Sequence, residues 1–109
     1  MPPAPITVLI AYRALPGEAA RAVRELGELI ATVVSLEPDC LAIRMLRDEA
    51  DPERLLLVEA WTSRAAYLGP HLETPHLGAF RARAAEFLAG PPEISFWSTV
   101  ADATARPAA

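Results

Sequence analysis

Two stretches of this chain, "ITVLIAYRAL" at residues 6–15 and "LLLVEAW" at 55–61, are too apolar for a strand with one wet face. Side chains alternate across a strand. In the first stretch Ile6, Val8 and Ile10 fall on one face while Leu9 and Ala11 fall on the other. A sheet made of such strands must be covered on both sides, because a soluble chain does not leave a large apolar face in water. At 109 residues there is room for one domain with one modest core. Helices can cover one face, and no spare element remains for the other. A second copy packed sheet to sheet is the expected cover, which predicts a homodimer.

The order of elements follows from periodicity and breakers. The first strand ends at "PG" (16–17), and residues 18–36 carry helical spacing through Ala19, Val23, Leu26, Ile30 and Val33/Val34. "EPD" at 37–39 stops that helix. Cys40 to Glu49 and the 55–61 stretch then read as a hairpin across "EADPER". A short helix starts near Ser63, and another near Thr74–Pro75, with Thr74 as candidate cap and Pro75 at the first helical position, running to Ala89 before "GPP". "EISFWSTV" is the last strand. The expected fold is α+β: β-α-β-β-α-β with a split second helix, and helices on one face of an antiparallel sheet.

The net charge of −4 gives no attraction to nucleic acid or to an anionic membrane. The opening "MPPAPITVLIAYRALPG" lacks a basic leader and has its apolar run interrupted by Arg13, so neither a signal peptide nor a membrane span is expected and the default location is the cytoplasm. The single cysteine, Cys40, cannot form an internal disulfide and reads as a buried inert thiol. Residues 1–109 form a single domain with a core at about 6–100, and the Pro- and Ala-rich ends, 1–5 and 101–109, are expected to be loose.

Candidate site residues cluster in "AWTSRAAYLGPHLETPHLGAF" at 60–80. Alternation places Glu59 and Trp61 on one face with Leu55 and Leu57. A glutamate among such neighbours needs a partner or access to water. If the hairpin sets Arg44 opposite Glu59 the two form a structural ion pair; a register one residue different turns Arg44 away. Trp61 either packs or walls a site for a flat aromatic ligand, and the Tyr67 hydroxyl either holds a phenolic substrate or reaches solvent. His71 and His76 flank "LETP" and, as neutral imidazoles, can exchange a proton near neutral pH. With 100° per residue and Phe80 at zero, His76 falls at about −40° and Arg81 at about +100°, the two edges of the apolar arc of the last helix. Such positions reach into a cleft or snorkel to water. Tyr12 contributes if its face points inward. Trp97, beside Phe96, packs the sheet or the partner. The chain has no glycine-rich phosphate loop, paired-carboxylate site, Cys/His metal spacing or serine elbow.

With "YRALPG" at 12–17, "EPDCLAI" at 37–43, "LLLVEAW" at 55–61 and above all "HLETPHLGAF" at 71–80, the sequence resembles the antibiotic biosynthesis monooxygenase family across residues 6–100. The resemblance implies a dimeric, ferredoxin-like α+β barrel. It also implies a cofactor-independent monooxygenase that uses molecular oxygen to convert a phenolic, anthrone or hydroquinone-type aromatic substrate to a quinone. The tryptophan, tyrosine and arginine of the polyketide-type members match Trp61, Tyr67 and Arg81, and His71 or His76 would assist deprotonation. The pocket asparagine of those enzymes falls at Leu57, and Leu57, Glu59, Phe80 and Trp97 complete the expected substrate-contacting set. The haem-degrading branch pairs a tryptophan with an axial histidine ten residues on, a spacing shared by Trp61 and His71, but the asparagine it uses on the first strand is Ile10 here. An isomerase, or a dimer that binds a small molecule without turnover, are the remaining alternatives within the family.

Overall fold

The computed structural model describes residues 5–105. Of the ends expected to be loose, residues 1–4 and 106–109 therefore lie outside the described residues. The elements are β1 (Ile6–Arg13), α1 (Ala19–Leu36), β2 (Cys40–Arg47), β3 (Arg54–Trp61), α2 (Arg64–Leu68), α3 (Pro75–Arg83) and β4 (Glu93–Trp97). Short 3-10 turns at Pro70–Glu73 and Ala84–Glu86 flank α3. The second crossover is split as expected. Its last helix stops at Arg83 rather than Ala89, and the last strand stops at Trp97 rather than Val100. Gly17 and Gly90 adopt φ of +79° and +83°, a region closed to most side chains. These two glycines turn the chain out of β1 and into β4.

The four strands form one antiparallel sheet in the order β2-β3-β1-β4. This corrects the barrel that the family resemblance implies. β2 and β4 are its two edges and do not pair with each other, so the sheet is open.

The most apolar strands, β1 and β3, are the two central ones and pair along their whole length, from Ile6 opposite Trp61 to Arg13 opposite Arg54. Their inner faces present Val8, Ile10, Leu55, Leu57, Glu59 and Trp61, all buried. α1 covers that face with Ala22, Leu26 and Val33, and α3 adds Leu77 and Phe80. Each fully buried Leu, Val or Phe contributes about 1.5–3 kcal/mol of transfer free energy, which ties the helical layer to the sheet.

A β-bulge at Leu41 settles the hairpin register. Cys40 pairs with Trp61, but Ala42 pairs with Ala60, so Leu41 is the extra residue. The slip places Ile43 opposite Glu59 and Arg44 opposite Val58. Arg44 thus points to the outer face, and the ion pair considered for Glu59 does not form. That outer face carries Leu9, Ala11, Leu56, Val58 and Leu46, none of them buried, and Trp97 at 55% exposure.

Candidate functional site

Between the inner sheet face and the helices lies a cavity of about 600 Å³, within the range that holds a drug-sized ligand. Its walls are mostly apolar, with Ile10 and Leu57 from the sheet, Val33 from α1 and Phe80 from α3. Its polar atoms come from Tyr12, Glu59, Tyr67, His71 and Arg81.

Local sequence explains how each is delivered. Ser63 caps α2 by accepting a hydrogen bond from the Ala66 N–H at 3.1 Å, and the short helix swings Tyr67 inward to 3% exposure. The following 3-10 turn buries His71. Thr74 stands at the N-cap of α3 without capping it; its hydroxyl donates instead to the His71 carbonyl at 2.9 Å. Pro75 holds the first helical position, as expected. Arg81 is exposed and lies at the rim of the cavity.

Trp61, His71 and Tyr67 form an aromatic cluster. The indole sits 4.6 Å from the His71 ring and 5.5 Å from Tyr67, edge to face with the latter. Tyr67 and His71 are 5.0 Å apart. Trp61 is itself sealed at 1% exposure and stands behind the cavity wall. Its indole N–H donates to Glu59 Oε1 at 2.8 Å. Glu59 thereby receives the partner its burial requires from two residues along its own strand. Burial pushes the Glu59 carboxyl from 4.5 up to about 7, against that hydrogen bond and with help from the negative charge of Glu37. Tyr67 is pushed up to about 12 and Tyr12 higher still, in both cases first by burial. Both phenols therefore remain hydroxyl donors at neutral pH.

Glu37, which the sequence marks only as the end of a helix, stands behind His71, outside the cavity lining, and joins His71 to His76. Its side chain is 11% exposed. Oε1 is 2.9 Å from His71 Nδ1, and Oε2 is 2.6 Å from His76 Nε2. The loop that carries it is clamped: the Thr62 hydroxyl donates to Asp39 Oδ1 at 2.8 Å, and the Thr62 N–H donates to the Asp39 carbonyl at 2.9 Å. One signal for this role was present in the sequence. A carboxylate at a helix C-terminus faces the negative end of the helix dipole, so it needs donors from elsewhere. Burial lowers His71 from its ordinary value; Glu37 opposes that shift, while His76 and Arg81 add to it. His71 is accordingly neutral at neutral pH.

Of the residues singled out from the sequence, Leu57, Glu59, Tyr67, His71, Phe80 and Arg81 line one cavity, joined by Tyr12. Trp61 stands one contact behind it, on Glu59, and His76 two, through Glu37 to His71. Trp97 is on the opposite side of the sheet, opposite Thr7, with its indole N–H on Ser95. Cys40 is buried, and its thiol is pushed up to about 12 by burial, far from a reactive thiolate. Among the described residues, no group of three or more His, Cys, Asp or Glu side chains is arranged to hold a metal ion, and no helix is long and apolar enough to cross a membrane.

The family model described as "Antibiotic biosynthesis monooxygenase" matches residues 5–83. No curated protein sequence matches the chain significantly. Among solved structures, PA3566 from Pseudomonas aeruginosa is 28% identical, covering 93% of this chain and 99% of its own, with a TM-score of 0.81. Rv0793 from Mycobacterium tuberculosis is 23% identical over 93% of this chain and 100% of its own, with a TM-score of 0.78. A crystal structure described as an antibiotic biosynthesis monooxygenase is 23% identical over 88% of this chain and 99% of its own, with a TM-score of 0.76. The last two likenesses bear on the fold.

Proposed function

The chain belongs to the antibiotic biosynthesis monooxygenase family, which supports a role of monooxygenase type, and we propose that it is a cofactor-independent monooxygenase converting a phenolic, anthrone or hydroquinone-type substrate to a quinone. One observation carries the reading: a buried histidine borders a mostly apolar cavity, with Nδ1 held by a carboxylate and, among the described residues, no hydrogen-bond partner on the other ring nitrogen. That arrangement suits proton removal from a weak carbon or oxygen acid held among apolar walls.

In this reading the substrate lies between Phe80 and the sheet. His71 Nε2 takes its proton, and Arg81 and the neutral Tyr67 hydroxyl stabilise the oxygen on which negative charge develops. The electron-rich anion reduces molecular oxygen, so no metal or flavin has to relay electrons. For an anthrone-type substrate, one ring methylene and one molecule of oxygen give one ketone carbonyl and one molecule of water. The carbon loses both of its C–H bonds, the O–O bond breaks, one oxygen stays on carbon and the other leaves as water with the two hydrogens. Trp61 backs His71 and Tyr67 and fixes Glu59. The haem-type reading fits less well: Ile10, an apolar wall of this cavity, stands where that branch has an asparagine.

Oxygen consumption by metal-stripped protein against a panel of dihydroquinones and anthrones tests the reading. Uptake above autoxidation is expected, falling about 10²-fold in Arg81→Ala, the scale of removing one preorganised charge stabiliser. Uptake equal to that of heat-denatured protein, or indifferent to both Arg81→Ala and His71→Ala, overturns it. Leu57 favours one second reading. An alkyl wall at an amide position suits a binding module, for which a ligand stabilises the protein without turnover.

The homodimer belongs to the same proposal. The outer sheet face carries Leu9, Leu56 and Val58 on its central strands and Trp97 at its edge. Among the described residues no element of the chain covers that face. A second copy offers the same apolar patch and is self-complementary about a two-fold axis.

A further inference from the structure

We infer that Glu37 is the positioning residue of this site, gripping His71 and His76 together so that His71 is locked in the tautomer whose bare Nε2 faces the cavity. The inference deepens the proposed function and rests on its reading of His71 as the base.

The geometry leaves little choice of tautomer. As a carboxylate, Glu37 can only accept hydrogen bonds. His71 Nδ1 lies 2.9 Å from Oε1 and 3.1 Å from Oε2, so Nδ1 carries the hydrogen. His76 Nε2 lies 2.6 Å from Oε2, so Nε2 carries the hydrogen there. A neutral His71 with Nδ1–H has its lone pair on Nε2. That atom has no partner among the described residues, and no buried side-chain nitrogen or oxygen in the described structure lacks one. Nε2 is therefore not sealed in, and the open space beside His71 is the cavity.

The three side chains come from three elements: the C-cap of α1, the 3-10 turn after α2, and the first turn of α3. A carboxylate shared by two imidazoles fixes ring orientation better than a single bond, because its second oxygen is anchored as well. When Nε2 takes a proton, the imidazolium forms against a carboxylate already in place, so little reorganisation accompanies the transfer. His76 serves as the second anchor. Its side chain is 16% exposed and it does not line the cavity.

The charges around His71 define a pH signature. Glu37 faces it from the end of α1, His76 and Arg81 from α3, Tyr67 from α2 and Glu59 from β3. Glu37 raises the affinity of His71 for a proton through its hydrogen bond and its charge, whereas burial, His76 and Arg81 lower it. Replacing Glu37 by a neutral amide therefore shifts the titration of His71 to lower pH.

The decisive experiment is nitrogen-15 NMR of the histidine rings in the intact protein, which needs no substrate. At neutral pH His71 is expected to show a protonated Nδ1 and a bare Nε2. In Glu37→Gln that preference should relax toward a mixture of tautomers and the titration midpoint should fall, while Glu37→Asp should restore part of both. A wild-type His71 protonated on Nε2, or a tautomer and midpoint unchanged in Glu37→Gln, overturns the inference. Should Glu37→Gln fail to fold, the wild-type tautomer together with His76→Phe decides: loss of the second anchor should broaden or mix the His71 signals, and unchanged signals count against a shared grip. Where oxygen uptake is measurable, kcat should fall about 10²-fold or more in Glu37→Gln with KM little altered, the pattern of a misoriented base. Absence of oxygen uptake with the expected tautomer in place overturns the proposed reaction and leaves the grip standing.

Discussion

Replacing Glu59 by glutamine should make the protein more stable in alkaline buffer, by an amount that can be worked out beforehand. Glu59 is 4% exposed, and its carboxyl is pushed from 4.5 to about 7, first by burial. A folded-state value above the unfolded one means that the folded protein holds a proton which the unfolded chain has already released. The stabilisation is present in full below about pH 4.5 and is lost as pH rises to about 7. The difference between 4.5 and about 7 corresponds to about 3 kcal/mol at about 1.4 kcal/mol per pH unit. About 2 kcal/mol of this falls between about pH 5.5 and pH 8. Glutamine keeps an oxygen for the Trp61 indole N–H, which sits 2.8 Å from Glu59 Oε1, and does not titrate. Urea unfolding of both proteins at the two pH values supplies the comparison, and the other carboxylates cancel in the difference. The stability of Glu59→Gln relative to wild type should rise by about 2 kcal/mol from the lower to the higher pH. Parallel pH profiles would instead mean that Glu59 ionises at an ordinary pH inside the fold, and that its burial carries no such penalty.

Two further perturbations follow from packing. Phe87 is fully buried and lies edge to face with Phe80 at 5.7 Å, so Phe87→Ala should cost about 3–5 kcal/mol in urea unfolding; a loss under about 1 kcal/mol would place the ring outside the core. On the outer face, Leu56→Lys at the middle of the apolar patch should convert a dimer to a monomer in light scattering while the circular dichroism spectrum stays unchanged; a wild-type protein already monomeric at micromolar concentration would count against the dimer.

Much of the architecture was legible because it is written in short-range patterns. β1 and β3 are apolar on both faces and became the central strands. The alternation through Leu55, Leu57, Glu59 and Trp61 placed all four on the inner face. The edge positions of His76 and Arg81 on the last helix were also visible, although only Arg81 reaches the cavity. The partner of Glu59 was not legible, because the bulge at Leu41 inserts one residue and sends Arg44 to the other face, and composition does not reveal such an insertion. Nor could local pattern join Glu37 to His71 and His76, 34 and 39 residues away. The barrel was an expectation from family likeness, and the chain's own four strands leave the sheet open.

The placement of the two tryptophans equips the molecule for optical work. Trp61 is sealed at 1% exposure behind the cavity wall, in contact with His71 and Glu59, whereas Trp97 is 55% exposed on the other side of the sheet. In the single chain a soluble quencher such as iodide reaches the second indole and not the first. Emission that survives quenching therefore comes from beside the cavity, and the emission it removes comes from the outer face. One fluorescence titration can thus separate occupancy of the cavity from burial of the sheet's far side, with no label attached.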